Sequence, residues 1–215
     1  MLKQTVAVSL LMLASQQALA AYKSQYEVTV QNITRGQSFT PIIAASHTRS
    51  FKPFVVGDKA SDAIAALAEG GMTAPLKADM EASSAVKGIA VTEGLLGPGQ
   101  KVTFTLESVY YARRFSMAAM LLPTNDTFVG VSAKWLPRWG TRVMYAKAWD
   151  AGSETNDEKC EHIPGPRCGG EALSADDNGE GFIYPSPGMH GEGDLKQSVY
   201  DWHDPVAKIT IRRTR

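Results

Sequence analysis

The sequence predicts an all-β protein: one antiparallel β-sandwich with one short helix and long loops. Three observations carry this expectation. Segments near both ends of the chain alternate apolar and polar residues with a period of two, which marks half-buried strands. Only one stretch has a convincing helical pattern. Closely spaced turn signals such as Gly97-Pro98-Gly99 suit hairpin connections better than the long crossovers of an α/β fold.

In chain order, Tyr26, Val28 and Val30 alternate with Glu27, Thr29 and Gln31, predicting a strand over 26–32. Residues 59–69 are alanine-rich, place Ile64 and Leu67 on one face, and meet Gly70-Gly71 as a stop, so a helix is expected there. Val102, Phe104 and Leu106 alternate with Thr103, Thr105 and Glu107. The apolar run 115–122 (FSMAAMLL) and the aromatic-rich run 143–149 are expected to be central strands covered on both faces. Ile209 and Ile211 alternate with Lys208, Thr210 and Arg212, giving a last strand over 206–212 that brackets the domain with the first.

The chain has 215 residues, 44% of them hydrophobic, with 22 basic and 22 acidic side chains. That balance leaves no overall electrostatic footprint for nucleic acid or for an anionic lipid surface. Residues 1–20 have the pattern of a signal peptide: Lys3, then the apolar run VAVSLLMLA, then Ala18-Leu19-Ala20 as a cleavage site. Cleavage after Ala20 leaves one domain, 21–215, with no later segment apolar enough to stay in a membrane, so a periplasmic or secreted location is expected. Residues 155–193, rich in Gly, Pro, Asp and Glu, read as a long tied-down loop region.

Cys160 and Cys168 are the only cysteines. In an exported chain a disulfide between them is the default, worth about 2 to 3 kcal/mol for so short a loop. The alternative, a thiolate metal site shared with His162, lacks a second pair of ligands.

Asp150 and Glu154 lie four residues apart around Gly152, directly after an expected strand, and Asp126 lies at the end of the 115–122 strand. Turns there can gather carboxylates as hard cations require, although acidic turn residues are more often simply solvated. His47, His162, His190 and His203 form no zinc-binding spacing. His190 with Asp194 as its orienting partner is the one acid-base pair to weigh for a hydrolase; the other reading makes His190 a backbone-bonded loop residue. His203 is expected to be a packing residue before the last strand. No serine sits in a nucleophile elbow.

The segment Leu121-Leu122-Pro123-Thr124-Asn125-Asp126-Thr127-Phe128-Val129-Gly130, followed by Trp149-Asp150-Ala151-Gly152-Ser153-Glu154-Thr155-Asn156, resembles the paired signature of the spondin N-terminal domain. The likeness extends through residues 48–61, the Ala68-Glu69-Gly70-Gly71 helix end, residues 188–194 and residues 201–209. This is the domain of F-spondin and mindin, found also in bacterial exported proteins. The resemblance implies a C2-like β-sandwich holding one calcium ion (Ca2+) at one end. Its ligand positions fall here on Asp126, Asp150 and Glu154, the third being Glu where the animal members carry Asp. The implied function is a non-catalytic calcium-binding module for binding or adhesion to an extracytoplasmic protein or glycan. The alternative is an extracytoplasmic hydrolase using His190 and Asp194 near the acidic loop. A non-enzymatic role is the favoured expectation, with no nucleic-acid partner and no transmembrane segment after signal removal.

Overall fold

The computed structural model describes residues 23–174 and 178–215. The expected signal peptide over 1–20 and its cleavage site lie outside the described residues. The elements are β1 (Lys23–Asn32), β2 (Ser38–Phe39), β3 (Ile43–His47), α1 (Asp62–Gly70), α2 (Thr73–Ala82), β4 (Val86–Val91), β5 (Lys101–Val109), β6 (Arg114–Leu122), β7 (Thr127–Trp135) and β8 (Thr141–Asp150). A one-turn 3-10 helix at Cys160–His162, β9 (Tyr184–Pro185), α3 (Gln197–Tyr200) and β10 (Ala207–Arg213) complete the chain.

The strands form one antiparallel sheet in the order β4-β3-β6-β7-β8-β10-β1-β5, with β2 added to β6 and β9 to β8. The two terminal strands pair with each other, Val28 opposite Ile211 and Val30 opposite Ile209. The sheet's edges also approach one another. Ser46 Oγ on β3 donates to the Glu107 carbonyl on β5 (2.6 Å), and a Cβ on Gly88 of β4 would stand 2.0 Å from that same oxygen. The sheet thus curls into a nearly closed, barrel-like sandwich, which leaves little exposed edge to pair with another chain.

Two apolar layers hold it. Inside the sandwich, the alternating residues of β1, β5 and β10 (Tyr26, Val28, Val30, Leu106, Ile209, Ile211) meet Phe115, Met117, Ala119 and Leu121 of β6. Outside it, Ile64, Leu67 and Ala68 of α1 with Leu76 and Met80 of α2 cover Ile43, Ala45, Ala118 and Phe128. Strand β6 is therefore buried on both faces, which is why it reads as a continuous apolar run.

The expected helix over 59–69 is realised as α1. Its start moves to Asp62 because Ser61 caps it, accepting from the Ile64 N–H at 3.3 Å. Gly71 ends it in the left-handed region (φ 66°), donating to the Leu67 carbonyl. A second helix, α2, was not expected. It buries only Leu76 and Met80, and Pro75 sits in its first turn, where the missing N–H costs no helical bond. The reading of 143–149 as a strand covered on both faces is corrected: Val143 is 49% and Tyr145 56% exposed. The helices cover β3, β6 and β7 but stop short of β8, so only its inward face is buried.

Cys160 and Cys168 are bonded, with S–S 2.10 Å. The bridge closes the Pro164-Gly165-Pro166 excursion behind the 3-10 turn, where Gly170 N–H bonds back to the Ile163 carbonyl (3.0 Å).

Candidate metal centre

Antiparallel pairing of β6, β7 and β8 brings the β6–β7 turn and the segment after β8 to one end of the sandwich. In that turn Thr124 Oγ1 donates to the Leu121 carbonyl (2.6 Å) and accepts from the Thr127 N–H (3.3 Å), turning Asp126 inward. Asp126 is fully buried, and its carbonyl accepts from Ala151 N–H (3.1 Å). Its Oδ2 accepts from the backbone N–H groups of Ser153 (2.7 Å) and Glu154 (3.1 Å) and from Ser153 Oγ (3.3 Å).

Asp150 ends β8, paired with Thr127 on one side and Tyr184 on the other. Its Oδ1 accepts from Gly152 N–H (2.8 Å), closing an Asx turn, and its Oδ2 accepts from Asn156 Nδ2 (2.8 Å). Gly152 is required there: φ is 64°, and an added Cβ would stand 2.5 Å from the Phe182 carbonyl. Glu154 is also buried, its Oε1 accepting from the Ser174 hydroxyl and N–H. Among the described residues, the second oxygens of two of these groups, Asp126 Oδ1 and Glu154 Oε2, are buried with no hydrogen-bond partner.

The three positions expected from the sequence thus meet at one end of the molecule. Two further carboxylates join them. Glu69, in the last turn of α1, is mostly buried and adds its charge to that of Asp126 on Glu154. Glu180, in the loop entering β9, acts on both Asp126 and Asp150. Neither has a local pattern that marks it, since each reaches the cluster from a segment distant in sequence.

Burial dominates the electrostatics. Loss of solvent, with the Asp126 charge added, pushes the Asp150 carboxyl up to about 8. Burial foremost, then the charges of Glu69 and Asp126, pushes Glu154 up to about 7 against the opposing Ser174 hydrogen bonds. Burial also raises Asp126 and Glu69, and it raises the Tyr184 hydroxyl with the Asp150 charge next in weight. Among the described residues, no basic side chain is among the main causes of these shifts. Among the described residues no three Asp, Glu, His or Cys side chains close on a common point at metal-ligand range. The carboxylates adjoin one another, with two orphaned oxygens, and do not encircle a finished cage.

A neighbouring carboxylate does a different job. Glu158, in the left-handed region (φ 55°), accepts from three successive N–H groups of the glycine-rich loop: His190, Gly191 (2.6 Å) and Glu192 (2.9 Å). Its own N–H donates to Asn125 Oδ1 (3.1 Å), and Asn125 Nδ2 donates to Asp157 Oδ1 (3.0 Å). Asn125, beside Asp126, therefore ties three loops together. Sequence reasoning missed this role of Glu158, because its partners lie more than thirty residues away.

The paired reading of His190 and Asp194 does not match this geometry. Asp194 Oδ2 accepts from Cys160 N–H (2.9 Å), and His190 Nδ1 faces Glu158 Oε1 at 3.7 Å. With both sulfurs in the disulfide no thiolate remains for His162, whose Nδ1 lies 2.7 Å from Asp157 Oδ2. His203 is exposed, contrary to its expected packing role; its neighbour Trp202 is the buried residue. Asn32 and Asn125, the asparagines of two glycosylation-like triplets, are both buried, so neither can carry a glycan in the folded chain.

A nearly closed antiparallel sandwich with a buried acidic cluster at one loop end defines the class of protein. The family model described as Spondin_N matches residues 11–158, well over half of the chain, starting inside the expected signal peptide and ending at Glu158. The chain belongs to that family. The match includes Asp126, Asp150 and Glu154 and leaves out the motif-like segments at 188–194 and 201–209. No curated protein matches the chain.

Proposed function

We propose that the protein is an exported, non-catalytic binding or adhesion module whose acidic loops hold one calcium ion and whose sandwich presents a surface to an extracytoplasmic protein or glycan. The observation that carries this reading is the pair of buried oxygens, Asp126 Oδ1 and Glu154 Oε2, which among the described residues have no hydrogen-bond partner and lie in a cluster of carboxylates with no neutralising base. A buried carboxylate oxygen without a partner costs on the order of 1–3 kcal/mol or more, and a bound cation removes that cost. Every donor in the cluster is oxygen, which suits a hard cation and disfavours zinc or copper.

Asp126 and Glu154 would supply the two free oxygens, and Asp150 would hold the ion through remaining lone pairs, with Glu180 flanking. The ion would supply positive charge only; the protein's part is to bring the loops together around it. Closure of the 151–158 segment by a small shift would convert adjoining carboxylates into a cage. Export is supported by the pattern of residues 1–20 and by the disulfide.

Calorimetric titration with calcium after chelator treatment tests the reading on the wild type, Asp126→Asn and Asp150→Asn. The expected result is one site in the wild type, bound at least about tenfold more weakly in either variant, with magnesium a poorer ligand in all three. Equal affinity in all three proteins, or no binding in the wild type, would remove these residues from a metal site.

A further inference from the structure

The end of the sandwich opposite the acidic loops has a character of its own. Between Glu107 and Asp126, between Asp126 and Asp150, and from Pro205 onward, the chain has no acidic residue. The far ends of β6, β7, β8 and β10 are built from these stretches, so cations outnumber carboxylates there. Carboxylates at this end include Glu107 on β5 and Glu27 on β1, and Glu27 is already paired with Arg212 (3.0 Å).

The same end carries exposed aromatic rings. Trp139, in the hairpin loop between β7 and β8, is 76% exposed, and Tyr110, Tyr111 and Trp135 are each about half exposed or more. All four are large enough to belong in a core, yet they stand at the rim, where Tyr111, Trp135 and Trp139 lie beside cations and Tyr110 packs edge-on against Tyr111. Arg114 stacks on Trp135 with its guanidinium carbon 3.5 Å from the ring centroid. Arg138 lies 5.5 Å from the Trp139 ring, and Lys87 lies 5.9 Å from that of Tyr111. The loop is pinned rather than trailing: Arg213 Nη1 donates to the Arg138 carbonyl (2.5 Å), and Arg213 N–H donates to that of Gly140 (2.9 Å).

We infer that this end is a docking surface for an anionic lipid bilayer, independent of calcium and of the acidic loops. Charge complementarity argues for an anionic partner, and the aromatic rings argue for one with an interface between water and hydrocarbon. Tryptophan and tyrosine partition to that depth, while arginines beside them meet headgroup phosphates. A hairpin tip projecting a tryptophan suits a broad planar partner better than a chain of sugars, which binds in a groove. A groove along the outer face of β7 and β8, lined by Phe54, Tyr145 and Trp149, does not include the four rim aromatics. Overall neutrality of the chain hides this surface, because Glu69, Asp126, Asp150, Glu154 and Glu180 cluster at the other end.

Co-sedimentation of the signal-free protein with phosphatidylcholine vesicles, with and without phosphatidylglycerol, tests the inference in chelator-containing buffer. Binding should be at least about tenfold stronger to the anionic vesicles and should weaken as salt is raised. Trp139→Ser and Arg138→Gln, both at exposed positions, should each reduce it several-fold while leaving the thermal midpoint unchanged; Tyr145→Ser on the open face of β8 should not reduce it. Equal binding to neutral vesicles, loss of binding on chelation, or full binding by Trp139→Ser would overturn the inference. So would binding of soluble polygalacturonate by a protein that leaves the vesicles in suspension. Because Asp150→Asn is expected to bind these vesicles like the wild type, a failed calcium site and a failed lipid surface give different results.

Discussion

Asp126 adds its negative charge to that felt by Asp150, Glu154 and Glu69, and among the described residues no cation is among the main causes of their shifts. The consequence is a stability that depends on pH. Asp150 and Glu154 have folded-state values raised to about 8 and about 7, above the ordinary carboxylate range of about 4. Their protonated forms are thus favoured by folding, so their contribution is fully present below the ordinary range and is lost as pH rises through about 7 to 8. The metal-free protein should therefore show a thermal midpoint that falls as pH is raised from about 5 to about 8 in chelator, and Asp150→Asn should flatten that fall. A midpoint that climbs through the same interval would contradict the assigned environment. Calcium should restore the midpoint most at the upper end, where protons no longer compete for the carboxylates. The three expected ligand positions were legible because a family motif spans Asp126 and the Asp150-Ala151-Gly152-Ser153-Glu154 turn. Glu69 and Glu180 were not, since only the packing of α1 and the 178–184 loop against that end brings them in.

At the scale of elements, alternation was the reliable signal. β1, β5 and β10 alternate because one face meets the interior and the other meets water, so the pattern and the burial coincide. Apolar runs were ambiguous. The 115–122 run is buried on both faces because helices cover β6, whereas the run in β8 has an uncovered outer face, a difference that rests on where α1 and α2 end. Strand β7 escaped the period-two reading because its first half, Thr127 to Val131, is wholly buried and its second half is not. The helix layer should matter for stability. Leu67→Ala, at a fully buried position, is expected to cost about 2–5 kcal/mol in denaturant unfolding, and Ser61→Ala about 1 kcal/mol through the lost N-cap. A negligible cost for Leu67→Ala would mean that α1 does not pack on the sheet as described. Glu158→Gln tests another element, the loop at 188–194. It should weaken the charge-assisted bonds to three N–H groups and speed amide hydrogen exchange at His190, Gly191 and Glu192, with little change in the core strands. Unchanged exchange at those three amides would show that the loop is held by other contacts.

For the whole molecule, a formal charge of zero conceals a division: carboxylates gather where β6, β7 and β8 meet at one end, and cations gather with aromatic rings at the other. Composition could not reveal this, because strand direction decides which end each residue reaches. The nearly closed sheet locks the terminal strands together through β1 and β10. The disulfide contributes at this scale by limiting the unfolded chain; replacing both Cys160 and Cys168 by Ser should lower stability by about 2–3 kcal/mol. What neutralises the acidic end decides how these loops are held. The most direct measurement is a crystal structure of the signal-free protein grown with calcium, with anomalous scattering recorded to identify the ion. A single anomalous peak is expected among the loops, with Asp126 Oδ1 and Glu154 Oε2 at about 2.3–2.6 Å from it and an Asp150 oxygen completing the protein's carboxylate ligands. A well-ordered acidic end with no peak, or a calcium ion bound elsewhere on the molecule, would contradict it.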